Sequence, residues 1–223
     1  MQATRRPRLK VCCIADRAEA GLAIELGAHA LGLVSAMPSG PGVIDEDTIR
    51  EVATACPPAV ATFLLTSEVE PRRIAEQALR TRVSTVQIVD RLSPGAHAEL
   101  RALLPGLKLV QVVHVVDAAS VDEALAVAAE VDALLLDSGN PNLPVKELGG
   151  TGRRHDWALS KAIRKGSPVP LFLAGGLRPE NVAEAIAEVG PYGLDICSGV
   201  RRDGRLDRER LGALVAAIES ARA

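Results

Sequence analysis

Apolar runs of strand length alternate with longer stretches of helical period along almost the whole chain, and the alternation repeats eight times. The predicted strands are Leu9–Ile14, Ala30–Ser35, Ala59–Leu65, Thr85–Val89, Leu107–His114, Ala133–Asp137, Val169–Leu173 and Leu194–Ser198. The predicted helices are Arg17–Leu26, Glu46–Ala55, Pro71–Arg80, Pro94–Leu103, Ala118–Ala129, Asp156–Ile163, Pro179–Val189 and Arg208–Ala221, with Pro71, Pro94 and Pro179 near helix starts, where proline is best tolerated. The strands read as continuous apolar runs, the pattern of strands buried on both faces, so the sheet is parallel and covered by helices. Eight such units favour closure into a (β/α)8 TIM barrel, a single α/β domain over residues 1–223 with residues 1–8 as a flexible extension. The competing architecture, an open doubly wound sheet, usually carries a glycine fingerprint after its first strand, and "VCCIADRAEAG" has none.

Composition narrows the chemistry. The chain has 223 residues, of which 48% are hydrophobic but only 2% aromatic, so its core is aliphatic and the composition argues against nucleic-acid recognition by aromatic stacking. With 26 basic and 28 acidic residues interspersed, no electrostatic footprint for nucleic acid appears, and a small molecule is the expected partner. Cys12, Cys13, Cys56 and Cys197 show no metal-ligand spacing, and a chain of this size needs no disulfide staples. A cytoplasmic protein follows, without metal, signal peptide or membrane span.

A barrel gathers its chemistry at the C-terminal ends of its strands. Reading those ends off gives Cys12 or Cys13, Ser35, Thr66, Asp90, His114, Asp137, Gly175-Gly176 and Ser198-Gly199. Alternation along the first strand puts Lys10, Cys12 and Ile14 on one face and Leu9, Val11 and Cys13 on the other. A lysine fits poorly under a helix layer, so Lys10 and Cys12 are expected in the barrel mouth and Cys13 against the helices. There Lys10 would favour a Cys12 thiolate as base or nucleophile, although spacing alone favours both cysteines as small core hydrophobes. Asp137 emerges at the rim after a buried apolar run, poised for proton transfer or serving as a cap. Gly175-Gly176 and Ser198-Gly199 offer backbone amides and a hydroxyl after the seventh and eighth strands, where barrels of this kind bind phosphate. The Gly- and Pro-rich segment 138–154 is long for a βα connection and reads as a lid or binding loop.

The ordered set "LKVCCIAD", "GAHALGLV", "VQIVD", "LLLDS", "GGTGRRHDW", "LAGGLRPENVAEAI" and "LDICSGV" resembles the phosphoribosylanthranilate isomerase family of tryptophan biosynthesis, from Leu9 to about Val200. The resemblance implies a cofactor-independent aldose-ketose isomerase that carries N-(5-phosphoribosyl)anthranilate through an Amadori rearrangement. It makes Asp137 the general acid that opens the sugar ring, Cys12 the general base, and Gly175, Gly176, Ser198 and Gly199 the phosphate site. Lys10, His114, Arg153, Arg154 and Asp195 complete the expected pocket, in a monomer or a homodimer.

The departures from the family cluster at the aromatic end. Where the family carries Ser-x-Arg after the second strand, this chain reads "SAMPSGPGVI", so Arg153 or Arg154 is the expected partner of the substrate carboxylate. Cys13 stands in place of a glycine, Val89 of a histidine, His155 of a phenylalanine, Cys197 of a serine and Arg201 of an acidic residue. Two other readings stay open on sequence alone, a paralogue acting on another phosphorylated sugar and a silent barrel that only binds a phosphorylated metabolite.

Overall fold

Strands that are apolar throughout must be covered on both sides, and a closed barrel does this with helices outside and side chains inside. The computed structural model of the chain describes residues 6–140, 143–144, 146–148 and 152–221. Strands β1 (Arg8–Val11), β2 (Ala30–Val34), β3 (Ala61–Thr66), β4 (Thr85–Ile88), β5 (Lys108–His114), β6 (Ala133–Asp137), β7 (Leu171–Leu173) and β8 (Gly193–Ile196) pair in parallel in chain order. β1 also pairs with β8, so the barrel is closed. Helices α1 (Arg17–Glu25), α2 (Glu46–Ala55), α3 (Pro71–Thr81), α4 (Ala96–Leu103), α5 (Ala119–Ala128), α6 (Trp157–Gly166), α7 (Val182–Val189) and α8 (Arg208–Ser220) alternate with the strands. Among the described residues no helix is long and apolar enough to cross a membrane.

The elements follow the sequence reading, with corrections at their edges. Pro71 does open α3, but α7 begins at Val182 rather than Pro179. Asn181 ties up the intervening turn, accepting from the Arg178 amide at 2.9 Å and donating to the Gly176 carbonyl at 2.9 Å. The extension expected over residues 1–8 overlaps β1 at Arg8, and its first five residues lie outside those described. A 3-10 turn over Ser198–Val200 and a small hairpin of β9 (Arg201–Arg202) and β10 (Arg205–Leu206) were not anticipated. The hairpin did have a signal: Asp203-Gly204, both with positive φ (51° and 78°), is the residue pair that tight hairpin turns favour.

Alternation along the strands separates two hydrophobic layers. Leu31, Leu33, Leu134, Leu136, Leu194 and Ile196 face the helices. Ala30, Phe63, Leu135, Phe172 and Ala174 face inward. Asp137 and Asp195 share the inward parity of their strands, which carries their carboxylates to the mouth. Cys12 is inward as expected, but the alternation fails one residue later. Cys13 takes a left-handed backbone conformation (φ 62°), which turns its side chain into the inner layer and sends Ile14 to the helix side, the reverse of the expectation for both.

Glu19 of α1, almost fully buried, holds this turn to the rest of the barrel. Its carboxylate accepts from the Ala15 amide at 3.1 Å, the Leu206 amide at 3.0 Å and the Arg201 guanidinium at 3.2 Å. Arg201 in turn donates to the carbonyls of Cys12, at 3.1 Å, and Cys13. Removing the carboxylate would strand a largely buried guanidinium. Glu19→Ala is therefore expected to cost about 3–5 kcal/mol in urea unfolding, with Glu19→Gln, which keeps some of the acceptors, costing less.

Candidate active site

The inward face of β1 presents two reactive groups in succession, Lys10 and Cys12. Lys10 has no exposed surface, and its ammonium donates to Asp195 of β8 at 2.8 Å. Burial alone opposes charge on Lys10, but the Asp195 carboxylate, aided by the thiols of Cys12 and Cys13, outweighs it and raises the ammonium above its ordinary range. Burial pushes the Asp195 carboxyl up, and the attraction of Lys10 pulls it back. Phe63 lies beneath the ammonium, its ring centre 5.4 Å from Nζ, and stacks edge-to-face on Phe172.

Gly32 of β2 makes room for both groups. A Cβ there would stand 2.8 Å from Cys12 Sγ and 2.9 Å from Lys10 Nζ, so thiol and ammonium occupy one space above the glycine.

Asp137, at the end of β6, lines the same cavity as Cys12, and one of its oxygens accepts the Ser138 amide at 2.7 Å. The cavity encloses about 690 Å³ including its opening to solvent, and Gly175, Gly176 and Ser198 form another part of its wall. Gly175 and Gly176 both have positive φ (85° and 62°), and a Cβ on Gly176 would meet the Gly152 carbonyl at 2.9 Å. A Cβ on Gly199 would collide with the Leu177 carbonyl. The turns after β7 and β8 thus pack backbone to backbone, the close approach that glycine permits. Gly199 faces an adjoining outer groove rimmed by Arg178, Arg202 and Arg210.

The loops after β2 and β6 meet over this mouth, with Ser39 Oγ donating to the Lys146 carbonyl at 2.6 Å. Lys146 also holds Asp90 at 2.5 Å. Arg153, in the loop after β6, pairs with Glu147. Arg154 departs from the expected pocket: its guanidinium stacks 3.5 Å over the Trp157 ring and pairs with Glu184 and Glu188 of α7. An arginine followed by an aromatic helix start found better partners outside than in the mouth. His114 has its ring buried, with Nε2 3.1 Å from the Val89 carbonyl and Nδ1 against Gly139.

Two shaping residues, Gly32 and Asn181, escaped the sequence reading, and two more, His155 and Arg201, were noted there only as departures from the family. Gly32 and Asn181 act through space and turn geometry, which no spacing announces. His155 stood out only as a departure, yet its ring is buried beside Gly175, with Nε2 2.7 Å from Ser160 Oγ. Burial lowers its pKa to about 4, against a partial opposing pull from Asp137 and Asp156.

Gly32→Ala is expected to displace Cys12 and Lys10 and to lower turnover by roughly 10²-fold, as loss of alignment does, while the circular dichroism spectrum remains that of a folded barrel. His155 gives a second expectation. The unfolded chain takes up a proton near pH 6.5 that the folded one refuses until about pH 4, so this contribution to stability is complete above 6.5 and is lost as pH falls through that window. Its full size is on the order of 3 kcal/mol. In urea unfolding, His155→Phe should show a correspondingly shallower loss of stability than the parent chain between these two pH values.

A family model described as N-(5'phosphoribosyl)anthranilate (PRA) isomerase matches residues 9–217. The N-(5'-phosphoribosyl)anthranilate isomerase of Thermosynechococcus vestitus is 34% identical, over 94% of this chain and 89% of its own. That of Haloferax volcanii is also 34% identical, over 96% of this chain and 94% of its own. The crystal structure of phosphoribosyl anthranilate isomerase from Thermotoga maritima matches with a TM-score of 0.80 at 27% identity, covering 96% of this chain and 99% of that one. A phosphoribosyl anthranilate isomerase in complex with reduced 1-(o-carboxyphenylamino)-1-deoxyribulose 5-phosphate matches with a TM-score of 0.77 at 25% identity, over 96% and 99% of the two chains.

Proposed function

The chain belongs to the N-(5'-phosphoribosyl)anthranilate isomerase family, and on that footing we propose that its mouth converts N-(5-phosphoribosyl)anthranilate into 1-(2-carboxyphenylamino)-1-deoxyribulose 5-phosphate, a step of tryptophan biosynthesis. The substrate is an aminoaldose closed in a furanose ring, and the product is an open aminoketose of the same composition. Three events connect them: the ring opens, a proton leaves the sugar's second carbon, and a proton reaches its first. The second carbon is oxidised as the first is reduced, so the reaction is an intramolecular oxidoreduction whose electron balance closes without a cofactor.

Ring opening needs an acid at the ring oxygen. Asp137 delivers that proton as the bond from the first carbon to the ring oxygen breaks, and the nitrogen lone pair forms a Schiff base. Cys12 then removes the proton from the second carbon, the electrons left behind form a double bond between the first and second carbons, and the π pair of the Schiff base returns to nitrogen to give an enolamine. Protonation at the first carbon, with collapse of the enol to a ketone, completes the rearrangement. Lys10 acts as a positioning residue, holding positive charge beside the thiol and itself held by Asp195.

One observation carries the reading: Cys12, just past β1, and Asp137 from β6 stand on the wall of one cavity, together with Gly175 and Gly176 after β7 and Ser198 after β8. An acid and a base from strands separated around the barrel, with an anion cradle beside them, suit a phosphorylated sugar bound with its reacting carbons between the two. Amides of Gly175, Gly176 and Gly199 with the Ser198 hydroxyl are assigned to the phosphate. With Arg154 engaged on α7, Arg153 is assigned to the anthranilate carboxylate, exchanging Glu147 for the ligand. Four free cysteines suit a reducing cytoplasm.

Cys12→Ser and Asp137→Asn are each expected to lower kcat by about 10²–10⁴-fold with little change in fold. The parent chain, introduced into a bacterium lacking this isomerase, should restore growth without tryptophan, and neither variant should match it. No growth from the parent chain would overturn the function, and full growth from both variants would overturn the assigned acid and base.

A further inference from the structure

Cys13 is a buried nucleophile at the mouth that the rearrangement leaves unused. Its left-handed backbone brings Sγ to 2.8 Å from Sγ of Cys197, closer than unbonded sulfurs ordinarily sit and within about 1 Å of the S–S bond length of about 2.0 Å. The backbone holds the pair together: the two residues follow β1 and β8, whose ends are joined by the Cys12 amide donating to the Ile196 carbonyl at 2.8 Å. The two residues differ in exposure. Cys13 is buried under the loop after β2, where its Sγ lies 3.6 Å from the Pro41 carbonyl, whereas Cys197 is only partly buried.

The charges are unequal as well. The hydrogen bond from Cys13 and the nearby Arg201 guanidinium hold the Cys197 thiol below its ordinary range despite burial. Hydrogen bonds to Cys12 and Cys197, with burial, hold the Cys13 proton in place. The thiol of the less buried residue is thus also the better nucleophile toward an oxidant, and Cys13, 2.8 Å away, is placed to resolve the adduct.

We infer that Cys13 and Cys197 form a dithiol site that closes to a disulfide on meeting a low-molecular-weight disulfide, switching the isomerase off. The Cys197 thiolate attacks one sulfur of the small disulfide, forming a mixed disulfide as the other half leaves and takes up a proton. Cys13 then loses its proton to solvent, and its sulfur displaces the second half from Cys197. Two protein thiols are oxidised, and one small disulfide is reduced to two thiols.

Closure draws the ends of β1 and β8 together, removes the thiol that Cys13 offers to Cys12, and pulls on the residue preceding Ser198. The loss of activity rests on the roles assigned above to Cys12 and Ser198, whereas the cross-link itself does not.

The test incubates the full chain with oxidised glutathione or with dithiothreitol, maps cross-linked peptides by mass spectrometry and assays turnover. Oxidation should consume two of the four thiols, yield a Cys13–Cys197 peptide, and lower activity by roughly 10²-fold, reversibly on reduction. Cys197→Ser should have the same activity under both conditions. If that variant does not fold, Cys13→Gly, which suits the left-handed backbone, takes its place.

A disulfide involving Cys12, or glutathione adducts without an internal cross-link, would overturn the site. A mapped Cys13–Cys197 bond with unchanged turnover would overturn the switch. Because the peptide map needs no substrate, it separates failure of this site from failure of the proposed reaction.

Discussion

A lysine sealed from water inside a barrel is tolerable only with a counter-charge in contact, and the interior of this protein is arranged around meeting that demand. Asp195 answers Lys10 at 2.8 Å across the seam where the first and last strands close the barrel. Apolar residues of similar volume would often fill such a space at no loss of stability, so the pair is better understood through what it does to its surroundings. It fixes a positive charge at one height in the barrel, with the Phe63 ring on one side and the Cys12 sulfur on another. Gly32 is the room this arrangement needs.

The eight strand and helix pairs could be read because each strand is an uninterrupted aliphatic run and each helix carries its own period. Parity was legible too: Asp137 and Asp195 alternate with leucines and isoleucine that pack on the helices, so their inward direction follows from counting. Counting stops working where the strand stops. Cys13 lies two residues past the end of β1, and one left-handed φ value inverted the sides predicted for it and for Ile14. A cysteine carries no local signal for that conformation, in contrast to Asp203-Gly204, whose signal was present in the sequence.

The site was legible as far as its residues sit on strands or in glycine turns. Cys12, Asp137, Gly175, Gly176 and Ser198 were named from strand ends and gather on one cavity. The loop residues were harder, because a long arginine side chain is directed by its neighbours in space. Arg154 chose Trp157 and two glutamates of α7, and the pairing of Ser39 with Lys146 joins segments more than one hundred residues apart. Buried hubs such as Glu19 and Arg201 are equally invisible in one dimension, since their partners come from α1, the loop after β1 and the hairpin before α8.

The sequestering of Arg154 has a spectroscopic side. Trp157 is the single tryptophan of the chain, buried at the first position of α6, shortly after the segment that contributes Gly152 to the cavity wall. A guanidinium at 3.5 Å over its indole is a fixed charge within the field that sets the ring's emission. The protein thus contains its own optical reporter of that segment, readable without a label because no second indole contributes to the signal.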